Sequence, residues 1–125
     1  MKRIAITAGA SSLLTLLLVY GLGAATAMTR ETVLENVRVE VIERSIPSGG
    51  ERTPYIRPTD QVIVFLNDAS YDRIDSRTGE TISRSRKAGE VIWHSRGEMA
   101  PKLVNTGSGP FRSLIIQLKD RDLTQ

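Results

Sequence analysis

Gln61-Val62-Ile63-Val64-Phe65-Leu66 is the run that decides the fold. It places apolar, mostly β-branched side chains on both faces of an extended chain, which suits a strand covered on both sides. Downstream, residues 67–70 read as a turn. Residues 71–75 and Thr81–Arg86 then flank Ser76-Arg77-Thr78-Gly79, a hairpin with a glycine available for positive φ. Lys87-Ala88-Gly89-Glu90 is a second turn, and Val91–His94, Lys102–Asn105 and residues 111–119 are three further strands. Thr106-Gly107-Ser108-Gly109-Pro110 joins the last two. Upstream, Val37, Val39 and Val41 alternate with Arg38, Glu40 and Ile42, the period-2 pattern of a half-buried strand. Pro47-Ser48-Gly49-Gly50 breaks that strand, and Pro54 and Pro58 bracket a segment too short for a helix. Residues 30–36 offer one short helical turn at most. Seven or eight short strands with close turn signals predict an all-β sandwich or barrel.

Composition supports one domain. The chain has 125 residues, 40% of them apolar and 25% charged, an ordinary globular balance. It has no cysteine, which excludes disulfide staples, thiolate metal sites, cysteine nucleophiles and cysteine lipidation. A single histidine excludes any site that needs two imidazoles from one chain.

The N-terminus reads as an address. Met1-Lys2-Arg3 is a positive start, Leu13-Leu14-Thr15-Leu16-Leu17-Leu18-Val19-Tyr20 an apolar run, and Ala25-Thr26-Ala27 fits the small-x-small cleavage rule. Residues 1–27 are expected to be a signal peptide, or alternatively an uncleaved anchor helix. Both readings put the rest of the chain in the periplasm or outside the cell, and the membrane is a partner only if the segment stays uncut. Residues 28–36 form a lead-in, 37–119 the barrel and 120–125 a flexible tail. Seventeen basic residues less Lys2 and Arg3 leave 15 against 14 acidic, so the mature net charge is near +1. With few, scattered aromatics, that gives no case for nucleic acid.

Asp60-Gln61-Val62-Ile63-Val64-Phe65-Leu66, then Lys87-Ala88-Gly89-Glu90-Val91-Ile92-Trp93, then Asn105-Thr106-Gly107 and Pro110-Phe111 together resemble the small bacterial cupins. The resemblance covers residues 37–119. It implies a double-stranded β-helix, the jelly-roll barrel, with a ligand or metal site in its mouth. The family's first-motif metal slots fall here on Tyr55, Arg57 and Gln61, and the second-motif histidine slot on Ala100 or Pro101. None is a good ligand for a divalent transition metal, and Arg57 would repel one. No metal or other cofactor is therefore expected.

Tyr55 and Arg57, at i and i+2, share one strand face. Facing inward with Gln61, they would receive a carboxylate or another small anion. The plainer alternative weighs more: Arg57 at the rim, paired with Asp60, and Tyr55 in the core. His94 follows Trp93, so the two point to opposite faces. It reads as a base or single ligand, or more simply as a strand-end residue at the surface or a dimer contact. Arg84-Ser85-Arg86-Lys87 reads chiefly as a solvated strand edge. No catalytic residue is assigned.

The expected function is an exported, metal-free binding or interaction module holding a small anionic or polar ligand. Homodimerisation would cover the outer face of the Val62–Leu66 strand. The alternative is a metal-dependent enzyme with an unusual ligand set around His94, drawing on Glu98 or Glu90.

Overall fold

The computed structural model describes residues 27–119. The leader expected before them and the tail expected after them lie outside the described residues. The decisive run forms β5 (Asp60–Phe65). Before it come β1 (Thr29–Glu35), β2 (Val39–Ile46), β3 (Glu51–Arg52) and β4 (Tyr55–Ile56). After it come β6 (Ala69–Ile74), β7 (Thr81–Arg86), β8 (Val91–His94), β9 (Met99–Ala100), β10 (Lys102–Asn105) and β11 (Phe111–Leu118). Pairing is antiparallel throughout. One sheet runs β1-β2-β11-β5-β8, a second β3-β10-β6-β7, and β4 pairs with β9.

The core lies between the two larger sheets. Register carries an aliphatic row, Ile42–Ile115–Ile63–Ile92, across the inner face of the five-stranded sheet. Phe65 and Phe111 from that sheet stack on Tyr71 from the other, with ring centroids 5.0–6.4 Å apart. The roll closes at Asn105, which is fully buried. Its amide nitrogen donates to the carbonyls of Ile46 and Gly109 at 2.8 and 2.9 Å, and its side-chain oxygen accepts from the Gly107 N–H at 2.9 Å. Gly79 takes φ 77°, the positive value its hairpin turn requires.

Four expectations change. Arg30 to Glu35 are strand, not helical turn: β1 pairs along β2 with a bulge between Thr32 and Leu34, and pairing outweighs a weak local preference. The buried face of β2 is not the valine face. Ile42, Arg44 and Ile46 point inward, while Val39 and Val41 lie half-buried on the outside and Val37 precedes the strand, 78% exposed. In β5, Gln61, Ile63 and Phe65 are buried, but Val62 and Val64 are only half-buried, so this chain covers one side alone. Short strands β3, β4 and β9, which carry no alternation of their own, complete the roll.

Candidate functional site

Pro54 and Pro58 hold residues 55–57 extended, and β9 fixes their depth by pairing Tyr55 with Ala100. The Arg57 N–H donates to the Glu98 carbonyl at 3.0 Å, and the Gly97 N–H donates to the Arg57 carbonyl at 2.9 Å. These bonds pin Arg57 inside, 4% exposed. Its Nη1 donates to Gln61 Oε1 at 2.9 Å and to Tyr55 Oη at 3.3 Å. Gln61 Nε2 donates to Gln117 Oε1 at 3.4 Å. The phenol, guanidinium and amide are therefore in direct contact. His94, the register partner of Gln61, has Nδ1 3.2 Å from Glu98 Oε1. Arg57 Nε lies 3.7 Å from the same oxygen. The expected rim pair of Arg57 with Asp60 does not form, because Asp60 Oδ1 instead accepts the Arg96 N–H at 2.8 Å. The basic run behaves as an edge: β7 closes the four-stranded sheet, exposed along most of its length. Its last two cations are paired, Arg86 with Glu90 of the following turn and Lys87 with Asp68 of the β5–β6 turn.

The structure adds residues that the sequence reading left out. Arg44 on β2 and Arg52 on β3 are 4% and 7% exposed, so three guanidinium groups are buried together with Arg57. Arg44 Nη2 donates to Ser113 Oγ at 3.3 Å, and the group sits 5.4 Å from the Phe111 ring centroid. Arg52 donates to the Pro101 carbonyl, and its guanidinium lies 5.3 Å from the Tyr55 ring centroid. Among the described residues no carboxylate is buried. The Nε atoms of Arg44, Arg52 and Arg57 are buried without a hydrogen-bond partner. Burial is the main cause that lowers Arg44 from the ordinary guanidinium range to about 10 and Arg52 to about 9, with neighbouring arginines adding to it. The same desolvation lowers Arg57, partly opposed by Tyr55 and Glu98. His94 is lowered below 6.5, by burial first and the nearby Arg57 charge second. A continuous hydrogen-bond run leads away from Arg57 through Gln61 and Gln117 to Glu40, which accepts from Thr32 Oγ1 at 2.7 Å.

Two spaces meet at these arginines. Between the sheets, Arg44, Arg52, Arg57, Arg73 and His94 line a void of about 30 Å³, room for little more than a water. A larger cavity of about 220 Å³ opens between the start of β1 and the β3–β4 segment, and Arg44 and Arg52 line it too.

A divalent metal does not fit this donor set. The inward positions carry a guanidinium, an amide and a phenol, with Ala100 opposite Tyr55. His94 and Glu98 are only two donors, and Arg57 already faces Glu98. Among the described residues no three His, Asp or Glu side chains are placed to share an ion.

These two facing antiparallel sheets form a double-stranded β-helix, and solved structures share it. A cupin domain from Bordetella pertussis superposes with a TM-score of 0.68 at 19% identity, covering 75% of this chain and 95% of that one. The polyketide cyclase RemF from Streptomyces resistomycificus gives 0.60 at 20% identity, over 76% and 67%. An RmlC-like cupin from Shewanella frigidimarina gives 0.58 at 12% identity, over 80% and 83%. The fold is thus the cupin fold. No family model and no curated protein matches the sequence.

Proposed function

We propose that this chain is an exported, metal-free cupin-fold binding module that holds a small anion in its interior. The observation that carries the reading is the cluster of Arg44, Arg52 and Arg57, buried without a buried carboxylate among the described residues. Even with burial lowering them, these guanidinium groups keep their protons at neutral pH. Leaving one buried and unpaired costs several kcal/mol, by the desolvation argument. A bound oxyanion or halide offsets that cost for more than one arginine at once, and the Nε atoms of Arg44 and Arg52, which have neither a hydrogen bond nor an ion pair among the described residues, are the donors most in need of it. Tyr55 lines the larger of the two spaces these arginines reach and His94 the smaller, and Gln61 is hydrogen-bonded to Arg57. The metal-enzyme alternative around His94 has less support, because Glu90 is engaged by Arg86 and the Lys87 N–H rather than by His94.

The apolar outer face of the five-stranded sheet supports homodimerisation. Register lines up Leu34, Val41, Ile116, Val62 and Trp93 in one row across all five strands. Leu34 and Trp93 are 51% and 53% exposed. Export rests on the N-terminal pattern of residues 1–27.

Thermal unfolding of the purified chain in a buffer of neutral zwitterions, with inorganic phosphate, sulfate, chloride or acetate added in turn, tests the anion reading. A ligand selective for the folded state raises the melting point with concentration. A flat response to all four anions, with the baseline fold intact, overturns the proposal.

A further inference from the structure

The geometry points to an amphiphilic organic acid as the ligand, entering through the cavity between β1 and the β3–β4 segment and setting its carboxylate against Arg30, Arg44 and Arg52. This rests on the anion reading above and specifies the ligand class and the route.

The cavity has a charged end and an apolar end. Arg30 and Arg44 are directly opposed on antiparallel β1 and β2, so their side chains leave the same face. Like charges in that position repel unless something negative lies between them. Arg52 reaches the cavity from the other sheet. None of the three is held in an ion pair among the described residues, whereas Arg57, Arg86 and Arg112 are. Arg44 and Arg52 are more than nine-tenths buried, each with a bare Nε. The rest of the lining is mostly apolar: Met28, Ile115 and the ring of Tyr55, with Thr53 the one further polar side chain. Volume separates this space from the inner void. About 30 Å³ admits a water but no organic group, whereas about 220 Å³ accepts a short alkyl chain. Three cationic donors beside a mostly apolar lining match a carboxylate with a hydrocarbon body better than a bare inorganic ion. The inorganic ion would leave the partly buried Met28 against water.

The experiment is a binding series on the full chain by calorimetry and thermal shift. The probes are acetate, butanoate and hexanoate, with hexanol and inorganic phosphate as controls. Affinity is expected to rise about fourfold for each methylene buried, until the cavity is filled. Hexanol should produce no comparable shift, and hexanoate should displace phosphate. Arg30→Glu places an internal carboxylate opposite Arg44 on an exposed edge strand. It is expected to keep the circular-dichroism spectrum and lose hexanoate binding by at least tenfold, and Arg30→Gln should weaken it less. If phosphate and acetate bind as tightly as hexanoate, the organic-acid inference fails while the anion reading stands. If no anion binds, both fail. Hexanoate binding unchanged in both Arg30 variants also overturns the assignment.

Discussion

The double variant Arg44→Met/Ser113→Ala probes the interior charge directly. Met has a similar volume, and the alanine removes the buried hydroxyl that Arg44 would otherwise leave without its donor. The fall of the Arg44 pKa to about 10 corresponds to roughly 3 kcal/mol of folded-state penalty. Its sign is fixed by the direction. The folded value lies below the unfolded one, so the penalty is present throughout neutral pH and fades only as pH rises above about 10. Against it stand the contact with Phe111, worth up to about 2 kcal/mol when desolvated, and a long hydrogen bond worth about 1 kcal/mol or less. Burying a methionine returns about 1.5–3 kcal/mol. The balance is a variant more stable than wild type by about 1.5–3 kcal/mol in anion-poor buffer, in line with buried ionic groups replaced by apolar ones. Urea unfolding is the assay, since urea adds no ion. Phosphate or a short carboxylate at a thousand times its Kd should add about 4.1 kcal/mol to wild type and little to the variant, inverting the order. A variant destabilised by more than about 2 kcal/mol, by the same amount at every anion concentration, would refute the reasoning. Arg44 would then be an ordinary structural residue satisfied by Phe111 and Ser113.

Other outcomes follow from neighbouring residues. Asn105→Ala should cost about 2–4 kcal/mol in urea unfolding, since it strips the buried Ile46 carbonyl and the loop carbonyl of Gly109 of their donor. A loss under about 0.5 kcal/mol would contradict its role in closing the roll. His94, the chain's sole imidazole, should titrate below 6.5 by NMR, so stability should rise with pH up to that value and level off above it. An anion beside Arg57 should move the midpoint upward, and a midpoint at or above 6.5 without anion would contradict the burial argument. Trp93→Glu should turn a sedimenting dimer into a monomer. A wild-type chain that is monomeric at high concentration would remove the case for pairing through that face.

Strand order and turns were legible because period-2 alternation and glycine-proline punctuation are local signals. The hairpin at residues 76–79 and the strands of β5, β8, β10 and β11 follow from them. The contact of Tyr55, Arg57 and Gln61 was legible in part, through their i and i+2 spacing and the resemblance, although the rim alternative with Asp60 weighed more. Arg44 left a trace that was passed over: Ile42-Glu43-Arg44-Ser45-Ile46 puts it on the same face as two isoleucines, which become core. The valines upstream drew attention to the opposite face. Arg52 left no such mark. A two-residue strand has no periodicity, and its burial follows from β10 pairing with β3, a contact spanning some fifty residues. The helical turn expected at residues 30–36 failed for a related reason, since β1 is exposed along its whole length and its strand character comes from β2.

The placement of β11 sets when this chain can fold. The last strand in the sequence lies at the centre of the larger sheet, between β2 and β5, and contributes Phe111, Ser113 and Ile115 to the interior. A nascent polypeptide that has not yet released Phe111–Leu118 has no filled middle to its sheet, and β2 and β5 have no mutual register. Native structure must therefore wait until β11 has been made, and the long sequence separations make closure slow. A polypeptide that stays open this late remains thin enough to be threaded through a narrow pore, and any truncation ahead of β11 leaves a chain for proteases rather than a smaller domain.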